Sequence, residues 1–285
     1  MNEPMIAAAK EAEVRAMAAR RWPDEGAQRL YVTLAEKAPR GVWVARDEGT
    51  PVGIAFAHEL ESEWFVSELF VEPSFRGAHL GWRLMRSATD GSGDASLGGV
   101  IDASEMGTLA FFLRRGMGLH VPLLSIAGAI PKEDDVLPMA AGDYRFETLA
   151  VDPIRHSALL AGLDREVRGS ARPADHELFA RTGSGTLFLI NDDCVGYVYV
   201  WPDGRIGPLV SASAAYLQQL FGFALVALRR TYGASWCKAV VPGSNVRVLR
   251  PAVRIGLEIE SIHTFASDLA HLDFTRYIGF HPLAY

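Results

Sequence analysis

Apolar residues return every three or four positions over residues 5–21, where Ala, Val and Met carry the stripe, and again over 25–37 until Pro39 and Gly41 break it. Two helices are therefore predicted to open the chain. After Gly41 the period falls to two. GVWVARDEGTPVGIAFAHE reads as two β-rich runs joined at Asp47-Glu48-Gly49-Thr50, a hairpin by composition. Residues 63–71 read as a third strand and 77–88 as a helix, followed by a Gly/Ser loop. GVIDAS is then a strand, 106–115 a helix ended by Gly116, and VPLLSIAGAI a further strand.

The segment PKEDDVLPMAAGDY abandons both periods for prolines and an acidic run, the composition of a linker. Order then returns. YRFETLAV reads as a strand, 157–167 and 174–181 as helices, and TLFLINDDCVGYVYVWPDGRIGPLV as a meander turning at Asp192-Asp193 and Pro202-Asp203-Gly204. A helix over 214–230, a strand SWCKAVVP, a helix from Asn245 and a strand EIESIHTFAS complete the pattern. Both halves thus follow one order, roughly two helices, a hairpin, a strand, a helix, a strand, a helix and a strand. That is a structural duplication with little residue identity. The expected organisation is a domain over 1–130, a linker over 131–141 and a second domain over 142–285. Each is an α/β (α+β) unit with a mixed sheet flanked by helices. The tail LAHLDFTRYIGFHPLAY is apolar and aromatic for a terminus and is expected to dock rather than fray.

Composition permits two cores: the chain has 285 residues, 49% of them hydrophobic. The net charge is −6, and its Lys and Arg are scattered without basic runs, which argues against nucleic acid as a partner. No apolar stretch is long enough to span a bilayer, and the first residues mix acids with bases, so the sequence predicts a cytoplasmic protein without a membrane partner. Cys194 and Cys237 lie far apart in apolar contexts with no ligand spacing around them. They read as reduced core thiols, and no metal is expected.

Candidate chemistry concentrates in ELFVEPSFRGAHLGWRL, residues 68–84. A helix start offers unpaired N–H groups and the positive end of the dipole, and small residues there let an anion approach the backbone. Arg76, Gly77, Ala78, His79, Leu80 and Gly81 supply a cation, two glycines and a helix start, which suits a pyrophosphate. A plain tight turn with close helix packing explains the same glycines.

The stretch resembles the signature of the GNAT superfamily of N-acetyltransferases, in which a strand runs through a Pro-containing turn into R/Q-x-x-G-x-G/A. VIDAS, the helix after it and RRGM also fit that family's order. The resemblance covers residues 5–130 by motif and 142–270 by element order, and implies a tandem GNAT protein. It implies that the strand bearing Glu68 splays from its neighbour and that Leu69, Phe70 and Val71 meet the pantetheine arm of acetyl-CoA, or another acyl-CoA, through backbone groups. It implies that residues 76–81 hold the phosphates. His79 stands where the family has its second Gly, a replacement expected to be tolerated if its backbone is ordinary helix rather than left-handed.

The resemblance further implies transfer of acetyl to a primary amine, on a small molecule or peptide, by direct attack. That reaction needs a base. Glu68 is the candidate; a surface carboxylate at a strand end is its bland reading. Glu61 and Glu63 are weaker rivals, Glu105 reads as part of a helix cap beside Ser104, and His58 as an exposed loop residue. At the position where the family places a proton-donating Tyr stands Phe112, which has no proton to give. The second half lacks the basic residue and glycines after RIGPLV and has Ala252 in place of the Tyr, so it is expected to complete an acceptor pocket near the domain interface rather than hold cofactor. Tyr197, Tyr199 and Trp201 alternate on one strand face as packing, a pocket wall or a stack for a cation, and Asp203 and Arg205 are read as solvated. The competing reading is a non-catalytic protein that binds or senses acyl-CoA or a small ligand. Monomer and homodimer both stay open, since a tandem pair can bury within one chain an interface that relatives make as dimers.

Overall fold

A computed structural model of the chain describes residues 3–22, 24–38, 40–61, 63–77, 79–90, 92, 95–268 and 272–284. Packing divides it into two compact units, residues 1–100 and 101–285.

The first unit opens with strand β1 (Met5–Ala8), helix α1 (Glu11–Arg21) and helix α2 (Glu25–Lys37). The helix expected over 5–21 thus starts late. Met5–Ala8 pairs antiparallel with the first hairpin strand, from Met5↔Arg46 to Ala8↔Trp43, and those sheet bonds override the helix propensity of Ala. At the junction the Lys10 backbone N–H donates to Glu13 Oε2 at 2.7 Å, and Asp24 Oδ1 caps α2 by accepting from the Ala27 N–H at 2.7 Å.

The hairpin strands β2 (Trp43–Asp47) and β3 (Thr50–Glu59) are followed by β4 (Glu63–Val71), helix α3 (Leu80–Ala88) and β5 (Ser96–Asp102). The strand order is β1-β2-β3-β4-β5. Only the last contact is parallel, β4 with β5. Leu80, Leu84 and Ala88 of α3 bury against Ala45, Val52, Ala55 and Val71 on one face. The approach is so close that a Cβ on Gly53 would lie 2.8 Å from Leu84 Cδ1, which is why β3 carries Gly there.

The second unit takes the end of β5 and continues through α4 (Met106–Leu113), β6 (Gly118–Ala129), α5 (Glu133–Ala140), β7 (Glu147–Ala150), α6 (Ser157–Arg168) and α7 (Pro173–Thr182). β8 (Ser184–Ile190), β9 (Asp193–Val200) and β10 (Arg205–Ser211) form the meander, and α8 (Leu217–Tyr232), β11 (Trp236–Pro242), α9 (Val246–Arg254) and β12 (Glu258–Ser267) close the repeat. The order β1-α1-α2-β2-β3-β4-α3-β5-α4-β6 recurs as β7-α6-α7-β8-β9-β10-α8-β11-α9-β12, with α5 between. Within the unit the strands run β12-β6-β11-β10-β9-β8-β7. The last strand of the first repeat, β6, therefore lies between two strands of the second, paired antiparallel with β11 from Trp236↔Ala129 to Pro242↔Leu123.

The stretch read as a linker contains α5. Its first turn is acidic, as the positive end of the helix dipole favours, and Val136 and Met139 are buried with Leu220, Phe221 and Leu225 of α8. Gly222 permits that contact, since a Cβ there would lie 2.5 Å from the Ala140 backbone N. Eight residues with an internal Pro138 are too few to show a period, so the helix is invisible to pattern reading. The tail docks as expected: a short strand β13 (Tyr277–Ile278) pairs antiparallel with β10, and Phe280 and Leu283 are buried. Among the described residues no helix is long and apolar enough to cross a membrane.

Candidate active site

β4 carries the irregularities that make a site. Its register with β3 passes from Phe56↔Glu68 directly to Ala57↔Val66, leaving Ser67 as an extra residue, a β-bulge. Ser67 and Glu68 are both buried. Ser67 Oγ meets His58 Nδ1 at 2.6 Å, and His58 Nε2 donates to the Leu34 carbonyl at 2.9 Å. His58 is thus a half-buried strand residue bonded on both ring nitrogens, not the exposed loop residue expected. Parallel pairing of β4 with β5 runs from Glu63↔Ser96 only to Val66↔Gly99, so among the described residues the backbone of 67–71 has no strand partner on that side. The strand opens where the resemblance implies it should. The edge without a strand partner runs past the half-buried Leu69 and Phe70 to the buried Val71, whose carbonyl is taken by the Arg76 side chain.

Glu68 is 5% exposed, and its Oε2 accepts no hydrogen bond. Arg21, at the end of α1, holds its Nε 3.6 Å from that oxygen while its guanidinium lies 4.6 Å from the centre of the Phe70 ring. Burial pushes the Glu68 carboxyl above the usual range, and the charge and side-chain N–H of Arg21 and a Leu69 backbone bond only partly oppose it. Tyr31 of α2 is fully buried edge-to-face on Phe56, with ring centres 5.1 Å apart. Its hydroxyl has no hydrogen-bond partner, and burial together with the Glu68 charge raises its pKa well above the ordinary phenol value. Arg20, by contrast, is closed by an ion pair with Glu72.

After β4 a single 3-10 turn, Pro73–Phe75, leads to Gly77 with φ +94° and His79 with φ 57° and ψ 8°, and α3 begins at Leu80. Ala78 lies outside the described residues. The helix expected from residue 77 is shortened because both flanking residues take left-handed backbone. Helical geometry at His79 is likewise replaced by the conformation that glycine adopts at no cost and an imidazole adopts at a cost of about 1 kcal/mol. Arg76 before them is extended, so two of the described residues entering α3 carry positive φ. Arg76 donates from Nε to the Val71 carbonyl at 3.0 Å, tying the loop to the end of β4. Gly81 has only ordinary contact in prospect, a Cβ lying 3.7 Å from Val71 Cγ2.

Phe112 of α4 is buried edge-to-face with Phe111 and brings no donor. Ser104 hydroxyl donates to Asp102 Oδ1 at 2.7 Å, and the Glu105 side chain makes no capping bond to α4. In the second repeat, α8 starts from Tyr216 in right-handed backbone, and the described residues between β10 and α8 include none with positive φ. The positive φ of Gly77 and His79 before α3 has no counterpart there.

That repeat holds a buried polar network instead. Asp164 accepts from Tyr197 hydroxyl at 2.5 Å and from His176 Nε2 at 2.9 Å, and Arg172 Nε lies 3.4 Å from it. Arg172 donates onward to the hydroxyls of Tyr197 at 2.8 Å and Tyr277 at 3.0 Å, and His176 Nδ1 meets Tyr199 hydroxyl at 3.0 Å. Burial alone would raise the Asp164 carboxyl; the charge of Arg172 and the His176 bond outweigh it and hold the group far below the usual range. Tyr197 and Tyr199 are therefore parts of this network, and Trp201 packs on Phe280. Arg205 is buried rather than solvated, paired with Asp203 at 2.7 Å with its guanidinium 4.9 Å from the centre of the Phe280 ring. The spacing of Asp164, Arg168, Arg172 and His176, one every four residues, is the sequence signal that this network carries. Arg21 and Tyr31 left no comparable signal, lying at ordinary positions of amphipathic helices.

Residues 8–117 match the model of the Acetyltransferase (GNAT) family. The whole chain is similar to a Pyrococcus horikoshii protein assigned to the acetyltransferases, with 15% identity, a TM-score of 0.72, and 100% of this chain and 97% of that one covered. A GCN5-related N-acetyltransferase from Sphaerobacter thermophilus gives 15%, 0.62, 97% and 99%. A tandem GNAT protein of the clavulanic acid biosynthesis pathway gives 17%, 0.58, 93% and 97%. At these identities the likeness is one of fold. No curated protein matches in sequence. The GNAT family match thus falls within the first repeat. The chain as a whole shares the fold of these tandem proteins, its second half repeating that fold without the positive-φ turn that precedes α3.

Proposed function

We propose that the chain is an acyl-CoA-dependent N-acyltransferase, most simply moving acetyl from acetyl-CoA to a primary amine, with the chemistry in the repeat over 1–130 and the repeat over 142–285 joined to it through 131–141. The observation that carries this reading is Glu68: a buried carboxylate with an unsatisfied oxygen, set where β4 leaves β5 and leads into the left-handed turn at Gly77 and His79. The open edge at Leu69, Phe70 and Val71 fits an extended pantetheine arm, and the turn of residues 76–81 fits a pyrophosphate.

When bound, the acyl-CoA supplies a thioester carbonyl. Glu68 takes the proton from the incoming ammonium, directly or through water, and its raised pKa makes it a stronger base than an exposed carboxylate. The nitrogen forms an amide with the acyl carbon, the carbon–sulfur bond breaks, and the sulfur leaves with the electron pair. Phe112 offers no proton to that sulfur, so solvent protonates it; a thiol of pKa about 8–9 leaves readily near neutrality without a dedicated acid. The free thiols Cys194 and Cys237 fit a reducing, cytoplasmic setting.

Phe112 and the imidazole at His79 favour the second reading, a protein that binds acyl-CoA without turnover. Titration calorimetry with acetyl-CoA on the native protein and on Arg76→Ala, followed by thiol release in the presence of amines, separates the two. Binding weakened in the variant with amine-dependent release supports the transferase. Binding without release under any amine supports the binder.

A further inference from the structure

The charges around Glu68 narrow the acceptor. This inference rests on the acyltransferase reading above. Glu68 and Arg21 form an ion pair at 3.6 Å, longer than a hydrogen bond, which leaves Oε2 without a short donor. The Tyr31 hydroxyl, near enough for the charges of Glu68 and Arg21 to act on it, is also unpartnered, and both oxygens are buried. Buried acceptors left open in this way are uncommon in folded proteins, and each is costly unless something fills it. Arg21 has donors to spare as well: its fork lies over the Phe70 ring and its side chain is 35% exposed, open to an incoming group.

An ammonium alone is poorly served here. It gains from Glu68 and Tyr31 but must sit beside the Arg21 charge. A carboxylate alone meets the reverse problem at Glu68. A molecule that carries both groups a few bonds apart satisfies each centre at once, its N–H donors on the two oxygens and its carboxylate on the guanidinium fork. We propose that the acceptor is a free α-amino acid, its ammonium received by Glu68 and Tyr31 and its carboxylate by Arg21. Seating the carboxylate also draws Arg21 away from Glu68, which frees the base when acceptor is present.

The test compares each common amino acid with its own α-amide, which keeps the amine and the side chain and removes only the carboxylate charge. Protein saturated with CoA is titrated with each pair, for the native chain, Arg21→Ala and Arg21→Lys. The expected result is at least one acid bound about tenfold more tightly than its amide, a preference that Arg21→Ala abolishes without weakening the amide and Arg21→Lys keeps in part. Amides bound as tightly as their acids, an Arg21→Ala loss equal for both members, or no acid bound at all would overturn the proposal. Thiol release with amides but not acids would overturn it while leaving the acyltransferase reading intact. Failure of CoA itself to bind would overturn that reading first.

Discussion

Glu68 Oε2 lies 3.6 Å from Arg21 Nε and accepts no hydrogen bond, although both oxygen and strand are buried. A carboxylate kept in this state resists ionisation, and the linkage to stability has a definite sign. Its folded pKa is raised above 4.5, so between that value and the higher folded one the native state binds more protons than the unfolded chain. Stability therefore falls as pH rises through that window. Glu68→Gln is expected to melt at the same temperature as the native protein at acid pH and above it at pH 8. Thermal unfolding at the two pH values checks this.

Tyr31 gives a second, separable outcome. Its hydroxyl is buried without a partner, so Tyr31→Phe removes no hydrogen bond and relieves a desolvated group. The variant is expected to be as stable as the native chain or more so, by up to about 1 kcal/mol in denaturant unfolding. The same substitution is expected to lower acceptor kcat/KM if the phenol receives the amine as proposed.

His79 occupies backbone that glycine prefers, at φ 57°. His79→Gly should therefore stabilise the protein by about 1 kcal/mol and leave acetyl-CoA affinity equal or tighter. His79→Val places a β-branched residue there and is expected to lower both. Chemical denaturation and calorimetry report the two effects independently.

The network in the second repeat is a stability element. Asp164→Ala leaves Arg172 buried without its anion, and the expected loss is about 3–5 kcal/mol in denaturant unfolding. Because the folded pKa of Asp164 is depressed, the contribution is present above its ordinary value of 3.8 and is lost as pH falls through the folded pKa. The gap between native and variant stability should narrow steadily on acidification below that value.

Much of this was legible in the chain. The period change at Gly41, the hairpin at Asp47-Glu48-Gly49-Thr50 and the repeated order of elements follow from alternation and breakers, and the structure returns them. The opening run MIAA falls within the helical spacing of residues 5–21, and only its pairing with residues 43–46 makes it a strand. α5 is too short for a period, and Pro138 disguises it. For the candidate site, local sequence pointed to the loop after β4 and to Glu68, which the structure places buried just past the end of the pairing with β5. It did not reveal that His79 is left-handed, since that depends on how the turn must enter α3. Nor did it reveal Arg21 and Tyr31, which reach Glu68 from helices well upstream, a contact of tertiary packing that no local spacing encodes. Arg205 was read as solvated because it sits in a turn; the tail residue Phe280 buries it.

The most direct measurement is the pH dependence of acceptor-driven thiol release for the native protein and Glu68→Gln, with acetyl-CoA affinity measured on both. The account predicts equal affinity, a native rate that climbs as Glu68 ionises above the usual carboxylate range, and a variant slowed about 100-fold or more that has lost that climb. A variant that binds acetyl-CoA and turns over at the native rate, with the same pH profile, would contradict the assignment of Glu68 as the base.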